Sequence, residues 1–318
     1  MGKRQVLRGI VPPMVTPLLG VDRLDVASTE RLVEHVLAGG VHGLFVLGTT
    51  GEAPNLAYGT RHELVRTACR RVAGRVPVLV GVTDTVFAES LRLAETAAEE
   101  GAAAVVAASP YYFPPGQPEL VKYFRDLADR SPLPVYLYNM PSHVKVMLDL
   151  DTVLRLAEHP NIVGVKDSSG NVIFFNNLRH ALRDRPDFGV FIGPEEGMAE
   201  SVLMGANGGV NGGANLFPKL YVDLYAAAAA KDVDRVRELQ PKVMAVATSF
   251  YGVGRHSSSL VKGVKCALKM MGVIGSDMLA EPAEPFAGRE REIVAERLAA
   301  FRREWPEAFG DARRAEGI

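Results

Sequence analysis

The chain has 318 residues, of which 47% are hydrophobic and 23% charged, and its formal net charge is −1. Its basic residues form no stripe or cluster, which excludes a typical nucleic-acid-binding surface. No apolar run is long enough for a signal peptide or a membrane span, so we expect a soluble, cytoplasmic protein. The two cysteines, Cys69 and Cys266, match no metal or redox spacing and are expected to be reduced thiols.

Eight short apolar runs alternate with stretches of helical periodicity. Each run is apolar on both faces, which is typical of buried parallel strands. In chain order they are 9–17, 42–50, 76–84, 102–110, 134–142, 161–169, 188–194 and 207–213. Eight strand–helix units with little else predict an α/β protein built on a closed (β/α)₈ barrel, the TIM-barrel fold.

The pattern changes near Lys231. Beyond it the sequence has helical periodicity in three segments, 231–251, 257–272 and 288–305, and no convincing strand. We therefore predict a barrel over residues 1–230 and a C-terminal helical extension over 231–318. No low-complexity linker separates the two, so independent motion of the extension is not indicated.

A lysine ends the sixth apolar run, at the end of the strand where such barrels carry their chemistry. Alternation places Lys166 on the same face as Gly164 and Ile162, and the glycine leaves room for a long side chain in the barrel mouth. A lysine amine must be neutral to attack a ketone, and desolvation favours the neutral form. A structural alternative is a lysine that reaches solvent or pairs with Asp167.

Two further segments follow strands at the same end of the barrel. The loop Gly48-Thr49-Thr50-Gly51-Glu52 can converge backbone N–H groups on an anion, and a carboxylate fits its size better than a phosphate. Tyr138 ends the fifth run, where its phenol could transfer protons. The pair Tyr111-Tyr112 lies on a proline-rich loop. Each feature has a structural alternative. The loop could be an ordinary turn, Tyr138 could only satisfy a buried hydrogen bond, and the tyrosine pair could serve packing.

Two other kinds of site are less well supported. The glycine-rich stretch 208–213 lies where many barrels bind phosphate, but the nearest basic residue is Lys219. The seven histidines show no metal-ligand spacing, and the pair Glu195-Glu196 has no histidine beside it. We therefore expect no metal site.

Five motifs occur in chain order: Thr16-Pro17, GTTGE at 48–52, SPYY at 109–112, YNMP at 138–141 and GVKDSSG at 164–170. Together they resemble the dihydrodipicolinate synthase/N-acetylneuraminate lyase family of class I aldolases. The resemblance covers the whole barrel. It implies that Lys166 forms an imine with the substrate, and that Tyr138 relays protons.

The resemblance also implies roles for the remaining motif residues. Thr49 links Tyr138 to a second tyrosine, and Tyr112 is similar to the tyrosine that such enzymes contribute across a subunit interface. Gly48, Thr49 and Thr50 match the cradle for the pyruvate carboxylate, and Val210 occupies the position whose carbonyl faces the imine. The implied substrates are a 2-keto acid and an aldehyde, with no metal or organic cofactor. The implied assembly is a homotetramer built as a dimer of dimers.

One departure bears on the second substrate. After YNMPS a dihydrodipicolinate synthase carries an arginine that binds a carboxylate, whereas this chain has His143, followed by Val144 and Lys145. Histidine lacks the bidentate fork of arginine. We therefore expect cleavage or formation of a 2-keto-3-deoxy sugar acid, with Glu195 or Asn211 contacting its hydroxyl groups.

Other functions stay open. Lys145 could replace the missing charge, which keeps condensation of pyruvate with aspartate semialdehyde as an alternative. A non-catalytic barrel that binds a keto acid is a second alternative, and a phosphate-binding barrel enzyme is a third.

Overall fold

The structure is a computed structural model that describes residues 6–309. In this part of the chain eight parallel strands form one sheet, and each falls within one of the eight predicted runs. They are β1 (Gly9–Ile10), β4 (Leu44–Val46), β5 (Val78–Gly81), β6 (Ala104–Ala108), β7 (Val135–Asn139), β8 (Ile162–Asp167), β9 (Gly189–Ile192) and β10 (Gly208–Gly209). The architecture is a (β/α)₈ TIM barrel, as predicted.

The sheet curls until its two edge strands meet. Strand β1 pairs with β10, and the chain after β1 runs beside β4 through a parallel bridge between Pro13 and Phe45. The backbone N–H of Met14 donates to the carbonyl of Phe45 at 2.8 Å. The barrel therefore closes through a short, irregular junction.

The sequence patterns did not predict a small hairpin next to this junction. It consists of β2 (Leu18–Gly20) and β3 (Arg23–Leu24), which pair antiparallel. Local alternation over two or three residues is too short to predict such strands.

Among the described residues, nine α-helices belong to the barrel portion, and two of them begin with a side-chain cap. The nine helices are α1 (Val26–Ala38), α2 (Tyr58–Val72), α3 (Phe87–Glu99), α4 (Gln117–Arg130), α5 (Pro141–Val144), α6 (Leu150–Ala157), α7 (Val172–Ala181), α8 (Met198–Leu203) and α9 (Pro218–Ala229). The side chain of Asp25 accepts from the Ser28 N–H at the start of α1, and Asn171 accepts from the Phe174 N–H at the start of α7. Such caps satisfy backbone donors that the first helical turn leaves free.

The three predicted C-terminal helical segments are α10 (Val233–Phe250), α11 (Ser259–Met270) and α12 (Gly288–Glu304). The predicted boundary at residue 230 falls in the turn between α9 and α10, where Lys231 has a φ of 60°. Helix α10 packs on α9, and α11 contacts the turn of helix at Gly212–Asn215. The extension thus packs directly on the barrel.

Side chains inside the barrel form their own buried cluster, separate from the layer between strands and helices. Its members are Val11, Phe45, Leu79, Ala104, Val106, Ala108, Tyr136, Tyr138, Val144, Phe191 and Val210. Both cysteines are free and buried, and burial raises the pKa of each thiol to about 11. Within residues 6–309, no helix has the length and apolarity needed to cross a membrane.

Candidate active site

Lys166 lies near the end of β8 and points into the barrel. Its side chain is only 6% exposed, and its Nζ atom lies 4.2 Å from the centre of the Tyr138 ring and 5.1 Å from that of Phe45. No ion pair of Lys166 occurs among the described residues. Asp167 instead accepts hydrogen bonds from Asn139 Nδ2 and Ser169 Oγ, at 2.7 and 3.0 Å. The alternative of a Lys166–Asp167 pair is therefore not what the structure shows.

Gly164 is required in β8, but for a neighbour of the lysine. A Cβ atom at Gly164 would lie 2.3 Å from the Tyr136 ring. Tyr136 and Lys166 both line a small cavity inside the barrel, together with Val210 and Phe191. The glycine therefore makes room for the Tyr136 ring beneath the lysine, rather than for the lysine itself.

Tyr138 lies beside Lys166 because β7 and β8 pair in parallel with these two residues in register. Its hydroxyl lies 3.2 Å from Thr49 Oγ1, so the two groups share a hydrogen bond. Its ring meets Phe45 edge to face, at 6.4 Å between centres. The hydroxyl is thus held between the lysine and the loop after β4, where it can take up or release a proton.

The loop after β4 turns sharply at its two ends. Leu47 and Glu52 both have left-handed backbone conformations, with φ of 59° and 57°. A Cβ atom at Gly48 would lie 2.6 Å from the Phe45 ring, so only glycine fits there. None of the hydrogen bonds among residues 6–309 uses the backbone N–H of Thr49 or Thr50. Two free donors next to Tyr138 are what a carboxylate cradle needs.

A cavity of about 700 Å³ opens above this group. The barrel contributes residues from the ends of β4 to β7, among them Gly48, Thr49, Tyr111, Tyr138 and His143. The C-terminal extension contributes the opposite part of the lining, from two segments: Ser257, Ser258, Val261 and Lys262, then Leu279, Ala280, Pro282, Ala283 and Glu284. Phe45 lines both this cavity and the small one at Lys166, so the two adjoin.

The two candidates for the missing arginine lie differently. His143 lines the cavity, and its Nδ1 atom lies 3.0 Å from Ser142 Oγ. Partial burial, with a smaller contribution from Lys145, lowers the pKa of His143. Lys145 is not among the residues that line the cavity, and its Nζ donates to the Ser142 carbonyl at 3.0 Å. Neither side chain therefore presents a fixed positive charge to the cavity near pH 7.

The other predicted substrate contacts separate into two groups. Val210 lines the small cavity with Lys166. Glu195 and Asn211 line neither cavity. Asn211 is fully buried, and its amide donates to the Gly193 carbonyl at 2.9 Å. The structure thus does not bring Glu195 and Asn211 to the space where a substrate would meet Lys166.

Glu195 instead forms a buried cluster with two tyrosines. Tyr221 and Tyr251 both donate their hydroxyls to its carboxyl group, Tyr251 at 2.8 Å, and the Gly213 N–H donates at 3.0 Å. Burial raises the pKa of Glu195 to about 7, although these hydrogen bonds oppose the shift. The carboxyl therefore joins helices α9 and α10 to the turn after β10.

This shift makes stability depend on pH. The folded protein keeps the Glu195 proton at pH values where the unfolded chain, with its ordinary pKa of 4.5, has lost it. Stability from this group is therefore complete below about pH 4.5 and is lost as the pH rises through 7, by at most about 3 kcal/mol. We expect Glu195→Gln to flatten this fall in the free energy of urea unfolding between pH 5 and 8. Equal slopes for the variant and the unsubstituted protein would contradict it.

Tyr112 does not line the cavity that contains its predicted partners, Thr49 and Tyr138. It is 77% exposed and the adjacent Phe113 82% exposed, and their rings contact each other edge to face. Both belong to the proline-rich loop after β6. Large aromatic side chains at such exposure are typical of a surface that another molecule covers.

Sequence reasoning missed the ion pair that anchors the GTTGE loop to the extension. Lys265 on α11 is fully buried and pairs with Glu52, whose other carboxylate oxygen accepts from the Ala280 N–H at 2.8 Å. A signal was present, because Lys265 falls between Val261 and Leu268 on the apolar face of its helix. Within the described ranges, no group of three or more histidine, cysteine, aspartate or glutamate side chains is placed to hold a metal ion.

The chain is similar to known proteins over nearly its whole length. Residues 6–301 match the Dihydrodipicolinate synthetase family. A 4-hydroxy-tetrahydrodipicolinate synthase of Aromatoleum aromaticum is 35% identical over 300 residues, covering 92% of this chain and 99% of that protein.

Two solved structures show the same likeness. Dihydrodipicolinate synthase from Bacteroides thetaiotaomicron is 52% identical, with a TM-score of 0.90, covering 93% of this chain and 99% of that one. YagE from E. coli K12, solved in complex with pyruvate, is 29% identical, with a TM-score of 0.86, covering 93% and 98%. The predicted family is confirmed, and with it an enzyme of the class I aldolase type. The chain belongs to the dihydrodipicolinate synthetase family of pyruvate-dependent lyases and aldolases.

Proposed function

We propose that this protein joins pyruvate to an aldehyde, or cleaves the product of that reaction, through an imine at Lys166. The observation that carries the proposal is the placement of the Lys166 amine against the Tyr138 ring, where it is buried and forms no ion pair with a carboxylate of residues 6–309. The Tyr138 hydroxyl shares a hydrogen bond with Thr49, and the backbone N–H groups of Thr49 and Thr50 are free to bind an anion. This arrangement supplies a nucleophile, a proton carrier and an anion cradle at one point.

The proposed reaction proceeds in balanced steps. The lysine nitrogen bonds to the pyruvate C2 carbon, and the carbonyl oxygen takes a proton. Loss of that oxygen as water, with a proton delivered through Tyr138, leaves an iminium ion. Tyr138 takes a proton from C3, and the electrons of that C–H bond flow into the iminium to form an enamine. The enamine bonds to the aldehyde carbon as the C=O double bond opens, and the aldehyde oxygen takes the proton back from Tyr138. Hydrolysis of the new imine releases the product and restores Lys166. Cleavage follows the same steps in reverse, and the lysine replaces a metal or organic cofactor as the source of the electrophile.

Two aldehyde partners have separate support. The names of the relatives favour condensation with aspartate semialdehyde, the reaction of a 4-hydroxy-tetrahydrodipicolinate synthase. Histidine in place of the synthase arginine, with its lowered pKa, favours a 2-keto-3-deoxy sugar acid. Neither depends on Glu195 or Asn211, because these residues do not reach the cavity.

We also propose a homotetramer in which Tyr112 completes the proton relay of a neighbouring subunit. Two features support it: the exposed Tyr112–Phe113 pair, and exposed apolar residues on and near α7, namely Val172, Ile173 and Met204. Among the described residues, no hydrogen bond joins a second tyrosine to the Thr49–Tyr138 pair. A relay that needs Tyr112 would therefore need a second copy of the chain.

The test combines trapping with a substrate panel. Borohydride in the presence of pyruvate is expected to add a reduced three-carbon adduct to Lys166, visible by peptide mass spectrometry. Turnover is then compared for pyruvate with aspartate semialdehyde and for cleavage of 2-keto-3-deoxygluconate and N-acetylneuraminate. An unmodified Lys166 at saturating pyruvate would refute the imine, and adduct formation without any turnover would favour a keto-acid-binding barrel.

A further inference from the structure

The wall that the C-terminal extension adds to the cavity carries a lysine with no assigned role. Lys262 lies on α11, is half-buried, and lines the cavity together with Ser257 and Ser258. Its Nζ atom lies 5.8 Å from the centre of the Phe286 ring. None of the ion pairs or side-chain hydrogen bonds in the described part of the chain includes its amine. A half-buried ammonium group with no anion beside it has unused binding capacity.

None of the other ionisable groups that line the cavity forms an ion pair with Lys262. Glu52 is already paired with Lys265. Glu284 is exposed and forms no ion pair among the described residues. Near pH 7, His143 contributes no fixed charge, because its lowered pKa leaves it mostly neutral. Lys262 is thus the one lysine or arginine among the residues that line the cavity.

The position of Lys262 separates it from the pyruvate end of the site. The free N–H groups of Thr49 and Thr50 lie on the loop after β4, next to Tyr138. Lys262 lies on a different element, the first turn of α11, and lines the same cavity as Thr49. A substrate with two acidic ends could therefore place one at each wall, with the reacting carbons between them near Lys166.

We propose that Lys262 binds a carboxylate on the aldehyde partner, so that the enzyme prefers acidic aldehydes to neutral ones. This inference rests on the proposed function and names the substrate class of the same site. It assigns to the helical extension the recognition that an arginine after β7 would otherwise provide. Ser257 and Ser258 supply hydroxyls beside the amine for the remaining carboxylate lone pairs.

The test compares an acidic aldehyde with a neutral one of the same chain length. Succinic semialdehyde and butanal are each reacted with pyruvate, and the ratio of their kcat/KM values is measured. Loss of a charge-assisted contact is expected to lower this ratio about 10- to 100-fold in Lys262→Met. The control is Lys122→Met, which removes an exposed lysine on α4 that does not line the cavity.

Each outcome decides the proposal. A ratio within twofold of the unsubstituted protein would overturn it, as would an equal fall in Lys122→Met, since that would indicate a general effect of net charge. The borohydride adduct with pyruvate is recorded separately, so a missing adduct refutes the imine and leaves the Lys262 question to a second measurement. Calorimetry with succinate needs no imine: we expect its Kd to rise about tenfold in Lys262→Met, and an unchanged Kd would contradict the proposal.

Discussion

Lys166→Arg is expected to lose turnover by at least about 10⁴-fold, which is the scale at which the loss of a nucleophile is felt. A guanidinium stays protonated and cannot attack a ketone, although it keeps the positive charge. Because Lys166 is buried beside Phe45 and Tyr138, the larger arginine could disturb packing. Lys166→Met, which is similar in length and smaller at its end, is the second variant. Both are expected to form no borohydride adduct with pyruvate.

Tyr138→Phe is the matched control for this expectation. The Tyr138 ring contacts Lys166, and the substitution removes only the hydroxyl group that shares a hydrogen bond with Thr49. Loss of a proton carrier is expected to slow turnover about 10²- to 10³-fold while the Lys166 adduct still accumulates. Thermal unfolding of all three variants identifies any that fail to fold. Adduct formation in a folded Lys166→Met protein would show that another lysine is the nucleophile.

The sequence was sufficient to predict what depends on local periodicity. All eight barrel strands lie within the predicted runs, since parallel strands buried on both faces are apolar at successive positions. The same periodicity placed Lys166 inside the barrel, because it directs alternate residues of β8 inward. Parallel pairing then brings Tyr138 beside the lysine without any further signal.

What could not be predicted depends on contacts between distant parts of the chain. The extension supplies 9 of the 24 residues that line the cavity, but the periodicity of α11 does not indicate which strand ends the helix covers. Glu195 was expected at the cavity because it follows a strand. It is buried elsewhere, because Tyr221 and Tyr251, 26 and 56 residues further on, supply hydroxyls to its carboxylate. Such placements depend on how distant segments pack together, and this packing cannot be predicted from a single sequence.

Lys265→Met is expected to destabilise the protein strongly, although Lys265 lies outside the barrel. Lys265 is 0% exposed and donates to the Met278 carbonyl at 2.7 Å while it pairs with Glu52. Its removal leaves a buried carboxylate without a cation, which costs about 3–5 kcal/mol. The measurement is the free energy of urea unfolding at pH 7. Lys269→Met is the matched control on the same helix, because Lys269 is partly exposed and its partner Asp277 keeps Arg291.

A double variant separates the ion pair from the packing around it. Glu52→Gln with Lys265→Met removes both charges, and we expect it to recover part of the stability that Lys265→Met loses. A double variant no more stable than Lys265→Met alone would show that packing, and not the stranded charge, carries the cost. Because the Glu52 side chain ties the end of the GTTGE loop to α11 through Lys265, the folded double variant should also need more pyruvate for half-maximal turnover. An unchanged KM for pyruvate would mean that Glu52 anchors the extension without shaping the carboxylate cradle.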